Sequence, residues 1–330
     1  MELRTKIEIP KYNFEINYNN KCMFIGSCFS ENIGEKLVKS KISTLSNPTG
    51  IHYNPFSIAD TLETIYNNTK ITKNDIFFAN EVWNHYNFHS KFSNTTIEKT
   101  IETINSAIEN TNIFLKTTDY LFITFGTAFI FELKTTKQTV SNCHKQNSEN
   151  FYHKMLSPTQ ISQRWNLLLS DLQMFNPNLK IIFTVSPIRH IKNGAIENMR
   201  SKASLILAIQ ELCEKNNYNN LFYFPVYEIV NDELRDYRFY AEDMQHLSNI
   251  AIEYIWEKFQ ENFFSKKTLE FLKTIQTLNK ALEHRPFNKN TELFKNFCQK
   301  QINIILEIEK KYAVSLEKEK EIIKLLMIND

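Results

Sequence analysis

Met23-Phe24-Ile25-Gly26-Ser27-Cys28-Phe29-Ser30 reads as a buried strand that ends on a glycine, then a hydroxyl, a thiol and the start of a helix. In an α/β fold such a turn exposes a nucleophile beside the positive end of a helix dipole. Outward from it, short strand-like runs bounded by turn residues recur at 22–26, 42–45, 120–126, 180–186 and 221–224. Helical patterns lie between them at 31–40, 57–67, 97–114, 159–175, 197–214 and 247–263. Strands alternating with longer helices predict βαβ units, hence an α/β fold with a doubly wound parallel sheet in three layers. The runs lack polar alternation, as strands covered on both faces do. Ligands of such sheets collect at the carboxyl ends of the strands. Gly26-Ser27-Cys28, Gly126-Thr127 and Ser186-Pro187 all fall at such ends.

The chain's 330 residues allow one large domain with an appendage. The expected division is an α/β domain over 1–264 and a C-terminal helical extension over 265–330, where 266–283, 291–308 and 314–327 carry charged, amphipathic patterns. Such helices pack on the core or on a second subunit, which makes a homodimer a compatible assembly. His284-Arg285-Pro286 is expected to separate the first of them from the second, and the asparagine-rich 216–220 to form a loop. An apolar share of 42% supplies material for a core. The net charge of +2, without a basic stripe interleaved with aromatics, argues against nucleic acid as a partner. No stretch approaches the ~18 uncharged apolar residues of a membrane helix. The opening residues have no apolar h-region, so a cytoplasmic location is expected. Cys22, Cys28, Cys143, Cys213 and Cys298 are scattered without CxxC spacing, which indicates neither a disulfide framework nor a zinc knuckle.

Far downstream, Asp243-Met244-Gln245-His246 sets an acid three residues before a histidine at the entrance of a helix. The acid can fix one ring nitrogen and leave the other as a base. Paired with the first stretch, this predicts a nucleophile and its proton acceptor. The same residues also fit purely structural ends: Ser27 or Ser30 as a helix N-cap with Cys28 as a small buried apolar group, and Asp243 with His246 as a surface pair. Arg189 and His190 follow a strand end, where they are candidates to meet a substrate carboxylate or phosphate; His89 and His144 are candidates for the same work. His85 and His89 have the i, i+4 spacing that suits zinc on a helix. Trp83-Asn84-His85-Tyr86-Asn87-Phe88-His89 alternates aromatic and polar residues, which reads as strand or irregular structure, so no metal is expected there. No cofactor is expected either.

The sequence resembles the GSCFA domain family, whose naming motif is matched by Gly26-Ser27-Cys28-Phe29-Ser30 with Ser30 in place of the final alanine. The resemblance continues through Asn47-Pro48-Thr49-Gly50-Ile51-His52-Tyr53-Asn54-Pro55-Phe56-Ser57, Trp83 with Phe88-His89-Ser90, Thr124-Phe125-Gly126-Thr127-Ala128 and Asn142-Cys143-His144-Lys145. It includes Thr184-Val185-Ser186-Pro187-Ile188-Arg189-His190 and the segment from Glu233 to Asp243, and spans roughly residues 20 to 262. That family looks like a distant branch of the SGNH (GDSL-type) hydrolases. The resemblance implies a flavodoxin-like three-layer fold and ester or acyl chemistry on a small-molecule ester or an acylated or glycan substrate.

Residue by residue, the resemblance matches Asp243 and His246 to the Asp-x-x-His block and Gly126 to the glycine of the oxyanion-hole block. Laid without gaps on Gly-Asp-Ser-Leu-Ser, the nucleophile position is Cys28; matching by chemical type selects Ser27 instead. A thiolate would favour thioester formation and acyl transfer, a serine ordinary ester hydrolysis. Thr127, Ala128 and Phe129 follow Gly126, so the asparagine of Gly-x-Asn has no counterpart in place, and Asn142 and Thr127 are the candidate substitutes. That gap also leaves open a non-catalytic small-molecule or carbohydrate-binding protein on a hydrolase fold.

Overall fold

The computed structural model describes residues 4–215, 220–283 and 291–328. Residues 216–219 of the loop expected over 216–220, and the break at 284–286, lie outside the described residues. The chain enters the sheet through β1 (Lys21–Gly26) and returns along α1 (Cys28–Lys39) to β2 (Ser43–Ser46) and α2 (Pro55–Tyr66). A hairpin of β3 (Phe77–Ala79) and β4 (Val82–Asn84) precedes α3 (Ile97–Leu115) and β5 (Tyr120–Phe125). Next come β6 (Phe129–Leu133), β7 (Thr139–Val140), β8 (Phe151–Met155), α4 (Pro158–Phe175) and β9 (Lys180–Val185). The α/β part closes with α5 (Ala195–Lys215), β10 (Leu221–Tyr223), the turn α6 (Val226–Glu228) and α7 (Asn249–Phe263). Three further helices follow: α8 (Lys266–Glu283), α9 (Glu292–Tyr312) and α10 (Glu317–Ile328).

The central sheet is parallel, in the order β10-β9-β5-β1-β2. The chain moves outward from β1 to β2, then crosses back to β5 and builds in the other direction. The strand order therefore reverses between β1 and β5, and their carboxyl ends form the crevice where such sheets bind ligands. Alternate strand residues feed opposite faces. Cys22, Phe24, Tyr120, Phe122 and Ile182 join the core under α1 and α7. Met23, Ile25, Leu121, Ile123, Phe125 and Phe183 join the core under α2, α4 and α5. The result is a doubly wound, three-layer α/β fold.

The C-terminal helices extend the first of these cores. Phe271, Ile275, Leu278, Phe294, Ile305 and Tyr312 pack into it, and the Thr268 hydroxyl donates to the Ile16 carbonyl at 2.9 Å. Their apolar stripes are thus buried on this chain's own α/β body. Two additions lie outside the central sheet: the β3–β4 hairpin, whose β4 falls on the strand-like start of 83–89, and an antiparallel sheet in the order β7-β6-β8, which the sequence reading did not anticipate. Phe129-Ile130-Phe131-Glu132-Leu133 is rich in strand-forming aromatic and branched residues, but an apolar run of so few residues is a weak signal. Among the described residues, no helix is long and apolar enough to cross a membrane.

Candidate active site

The turn from β1 to α1 depends on a glycine. Gly26 has φ +139°, and a Cβ there would stand 2.2 Å from the Thr124 carbonyl oxygen. Ser27 occupies the N-cap position in extended conformation, yet its side chain makes no capping bond. Its hydroxyl is fully buried with no hydrogen-bond partner. Ser30, one turn on, is also not a cap: its hydroxyl donates to Thr124 Oγ1 at 2.7 Å and fastens α1 to β5. The first amides of α1 are therefore uncapped. Those of Cys28 and Phe29 turn toward the Cys28 sulfur. Burial pushes the Cys28 thiol up; the two amides and Lys202 oppose that, while Glu31 adds to it.

The downstream acid and histidine meet as a pair. His246 Nδ1 and Asp243 Oδ2 are 2.5 Å apart, and the other carboxylate oxygen accepts the backbone N–H groups of Gln245 and His246, each at 2.9 Å. The bond to His246 and the two amides hold the Asp243 carboxyl down to about 2. The loop closes on itself through Ala241 N–H to His246 O at 2.8 Å, with Met244 at φ 55°. Ser248 then caps α7 by accepting from the Ala251 amide. Nε2 remains the free nitrogen of a half-exposed ring.

Cys28 and His246, 218 residues apart in the chain, line one cleft of about 310 Å³ at the carboxyl ends of the central strands. Thr127, Arg189 and His190 line it too. One wall is aromatic: the His153 ring stacks between Phe129 and Phe131, with centroids 5.0 and 4.5 Å away. Ser27 and Asn142 are not among the described residues that line this cleft.

The expected oxyanion donors are differently engaged. Gly126 and Thr127 both donate their backbone N–H groups to the Tyr53 carbonyl, at 2.8 and 2.9 Å. The Thr127 hydroxyl is 3.1 Å from Ser201 Oγ and accepts the Phe129 amide. Asn142 uses Oδ1 to accept the His144 amide at 3.0 Å, away from the cleft. His190 differs: its Nε2 is buried and unpartnered, and it stands 3.2 Å from where a Cβ on Gly126 would lie. Burial, then Lys202 and His246, bring the His190 imidazole down to about 4, so at neutral pH it is uncharged.

Two histidines expected to meet substrate are instead parts of the framework. His144 is buried, with Nε2 2.9 Å from the His85 carbonyl oxygen. His89 caps a short turn by accepting the Lys91 amide on Nδ1, and its Cβ lies against Gly50. Neither lines the cleft; a backbone group instead engages one nitrogen of each ring. His85 accepts the Asn87 amide in the same way. Arg189 lies at the cleft wall, but its donors reach the Met244 and Gln245 carbonyls at 3.4 Å each, tying the loop after β9 to the Asp243–His246 loop.

Sequence reading missed Lys202, whose ammonium donates to Gly126 O at 2.6 Å and Ser186 O at 2.7 Å. A signal existed: Lys202 sits on the stripe of α5 that carries Leu205, Ala208, Ile209 and Leu212, where an apolar residue is expected. The Phe129–His153–Phe131 wall was missed with the antiparallel sheet that builds it.

Curated proteins offer no match to the sequence. Among solved structures, the chain is similar to the acetyl xylan esterase Est2A from the rumen bacterium Butyrivibrio proteoclasticus, at 13% identity and a TM-score of 0.33. That match covers 66% of this chain and 57% of the esterase, so the chain spans less than two thirds of that protein's length. It is similar also to a carbohydrate esterase of family 3 from Talaromyces cellulolyticus, at 9% identity and TM-score 0.36, covering 77% of this chain and 98% of the other. An acetyl esterase variant solved with acetate gives 9% identity and TM-score 0.36, covering 78% and 99%. The model of the GSCFA family matches residues 21–259 and that of the GSCFA C-terminal domain residues 275–328, and the chain belongs to the GSCFA family.

Proposed function

We propose that the protein is an acyl hydrolase or acyltransferase that works through a thioester on Cys28. One observation carries this reading: Cys28, at an uncapped helix start, shares a cleft with His246, whose other ring nitrogen is held by Asp243. Ser27 is the weaker nucleophile candidate, since its hydroxyl is fully buried. In the first step the thiol proton passes to His246 Nε2 and sulfur bonds to the acyl carbon, giving a tetrahedral oxyanion. The Cys28 amide and the unpartnered His190 Nε2, as a neutral N–H donor, are the groups offered to that oxygen. Collapse breaks the bond to the leaving alkoxide or thiolate, which takes the proton from His246. Water or another acceptor then attacks the thioester, with His246 again as base, and Cys28 is released. Asp243 keeps the imidazole in one tautomer throughout.

The Gly126 and Thr127 amides, both given to the Tyr53 carbonyl, favour a second reading in which the cleft only binds its ligand. Trapping separates the two. Incubation with p-nitrophenyl acetate or an acetyl thioester, followed by acid quench and peptide mass spectrometry, should show an acetyl group on Cys28. Cys28→Ala should form no adduct and lose turnover. An adduct on Ser27, or none on an intact, folded protein across a panel of esters and thioesters, would overturn the assignment.

A further inference from the structure

A second cavity, of about 490 Å³, lies beyond Arg189, which lines both it and the Cys28–His246 cleft. It is bordered by α5, α6 and residues 230–240. Lys202 is part of its wall and only 1% exposed, and the ammonium donates to the Gly126 and Ser186 carbonyls. An ammonium carries three N–H donors, so one is left over. Among the described residues, no carboxylate stands within ion-pair distance of it. Burying an ammonium without a counter-charge is costly, and burial holds this one down to about 7.

Arg235 brings a second cation to the same wall. It is exposed, and among the described residues its guanidinium makes no hydrogen bond or ion pair. Of the two carboxylates in the lining, Asp236 is engaged by the Arg238 amide at 2.8 Å and the Arg238 guanidinium at 3.9 Å. Asp232 alone then stands against Lys202, Arg189 and Arg235, and the lining is net positive. Much of the remaining wall is phenol rings. Tyr237 and Tyr240 have centroids 6.0 Å apart, and the Arg189 guanidinium lies 5.9 Å from the Tyr240 ring. The space exceeds what a bare carboxylate or phosphate fills, and rings beside convergent cations suit a ligand with both a charged end and a flat body.

We infer that this cavity binds an organic anion, with its carboxylate or phosphate set on Lys202 and Arg235 and its body against the tyrosine rings. The two kinds of oxyanion offer those donors the same chemistry. The site holds neither Cys28 nor His246, so it does not depend on the acyl reading.

The test is isothermal titration calorimetry of the full-length protein with benzoate, phenyl phosphate and, as an uncharged control, benzyl alcohol. At least one anion should bind about tenfold or more tighter than the alcohol, and which one does so identifies the oxyanion. Arg235→Gln, at an exposed position, and Lys202→Met should each weaken that binding by about tenfold or more, as loss of a charge-assisted hydrogen bond does. Cys28→Ala and His246→Ala should leave it unchanged. Failure of both anions to bind overturns the inference, and so does equal affinity for the alcohol. Wild-type affinity in Arg235→Gln, or in a Lys202→Met protein with wild-type near-ultraviolet circular dichroism, also overturns it. If Lys202→Met does not fold, Arg235→Gln decides alone. Loss of binding in His246→Ala would place the anion in the Cys28 cleft and overturn the assignment. Binding by a protein that acylates nowhere would remove the acyl reading and leave this one standing.

Discussion

Two sets of histidines occupy this fold, and they differ in what their rings have left to offer. In the loops that follow β2, β4 and β7, the rings are engaged in holding the framework. His52 is 1% exposed and uses both nitrogens, on Thr49 Oγ1 at 2.8 Å and Ser141 Oγ at 3.0 Å. His85 and His144 each commit one ring nitrogen to a backbone group. In the loops after β9 and before α7, His190 keeps an unpartnered Nε2 and His246 a free one beside the cleft. A satisfied buried polar group stabilises a loop, while an unsatisfied one beside a cavity is poised to act on what enters. Residue type alone does not separate the two sets.

The sharpest break of this comparison is His246→Ala against His144→Ala. With any ester or thioester that acylates Cys28, the first should lose about 10³-fold in turnover. The second should lower the melting temperature yet keep turnover per folded molecule. Equal losses in both would erase the distinction. Next in size, His190→Phe should reduce turnover by about 10²-fold, the usual consequence of losing one oxyanion donor. KM should change little, and an unaltered rate would return the donor role to the backbone.

The smallest effect is on stability. Burial holds His52 down to about 3 and His85 to about 4, against an ordinary 6.5. Below pH 6.5 the unfolded chain therefore binds protons that the folded chain refuses. Stability from these groups is complete above 6.5 and declines as pH falls toward 4, by about 1.4 kcal/mol per pH unit for each histidine. Urea unfolding of His52→Gln should show that slope reduced by one such increment. A slope identical to wild type would mean that the ring is not held neutral in the fold.

Much of the frame was legible in the chain. Each of the five central strands appeared as a strand-like run, and the GSCFA motif fell at the turn from β1 into α1, as read. The Asp243–His246 pair was legible because its members are three residues apart. The oxyanion candidates were not: Gly126 and Thr127 lie near the cleft, but the Tyr53 carbonyl, from a loop more than 70 residues earlier, takes their amides. Conversely, Lys202 looked like an ordinary helix lysine until α5 packed it under the ends of β5 and β9.

Sequence by itself determined the α/β alternation, the glycine at the first turn and the acid three residues before its histidine. These are local features, set by backbone geometry and periodicity over a few residues. Only the tertiary structure decided that Cys28 and not Ser27 borders the cleft, that His190 and Lys202 stand near it, and that His89 and His144 do not. Those outcomes depend on which polar groups find partners across the fold, and hydrogen bonds between distant segments leave no periodic trace in the chain.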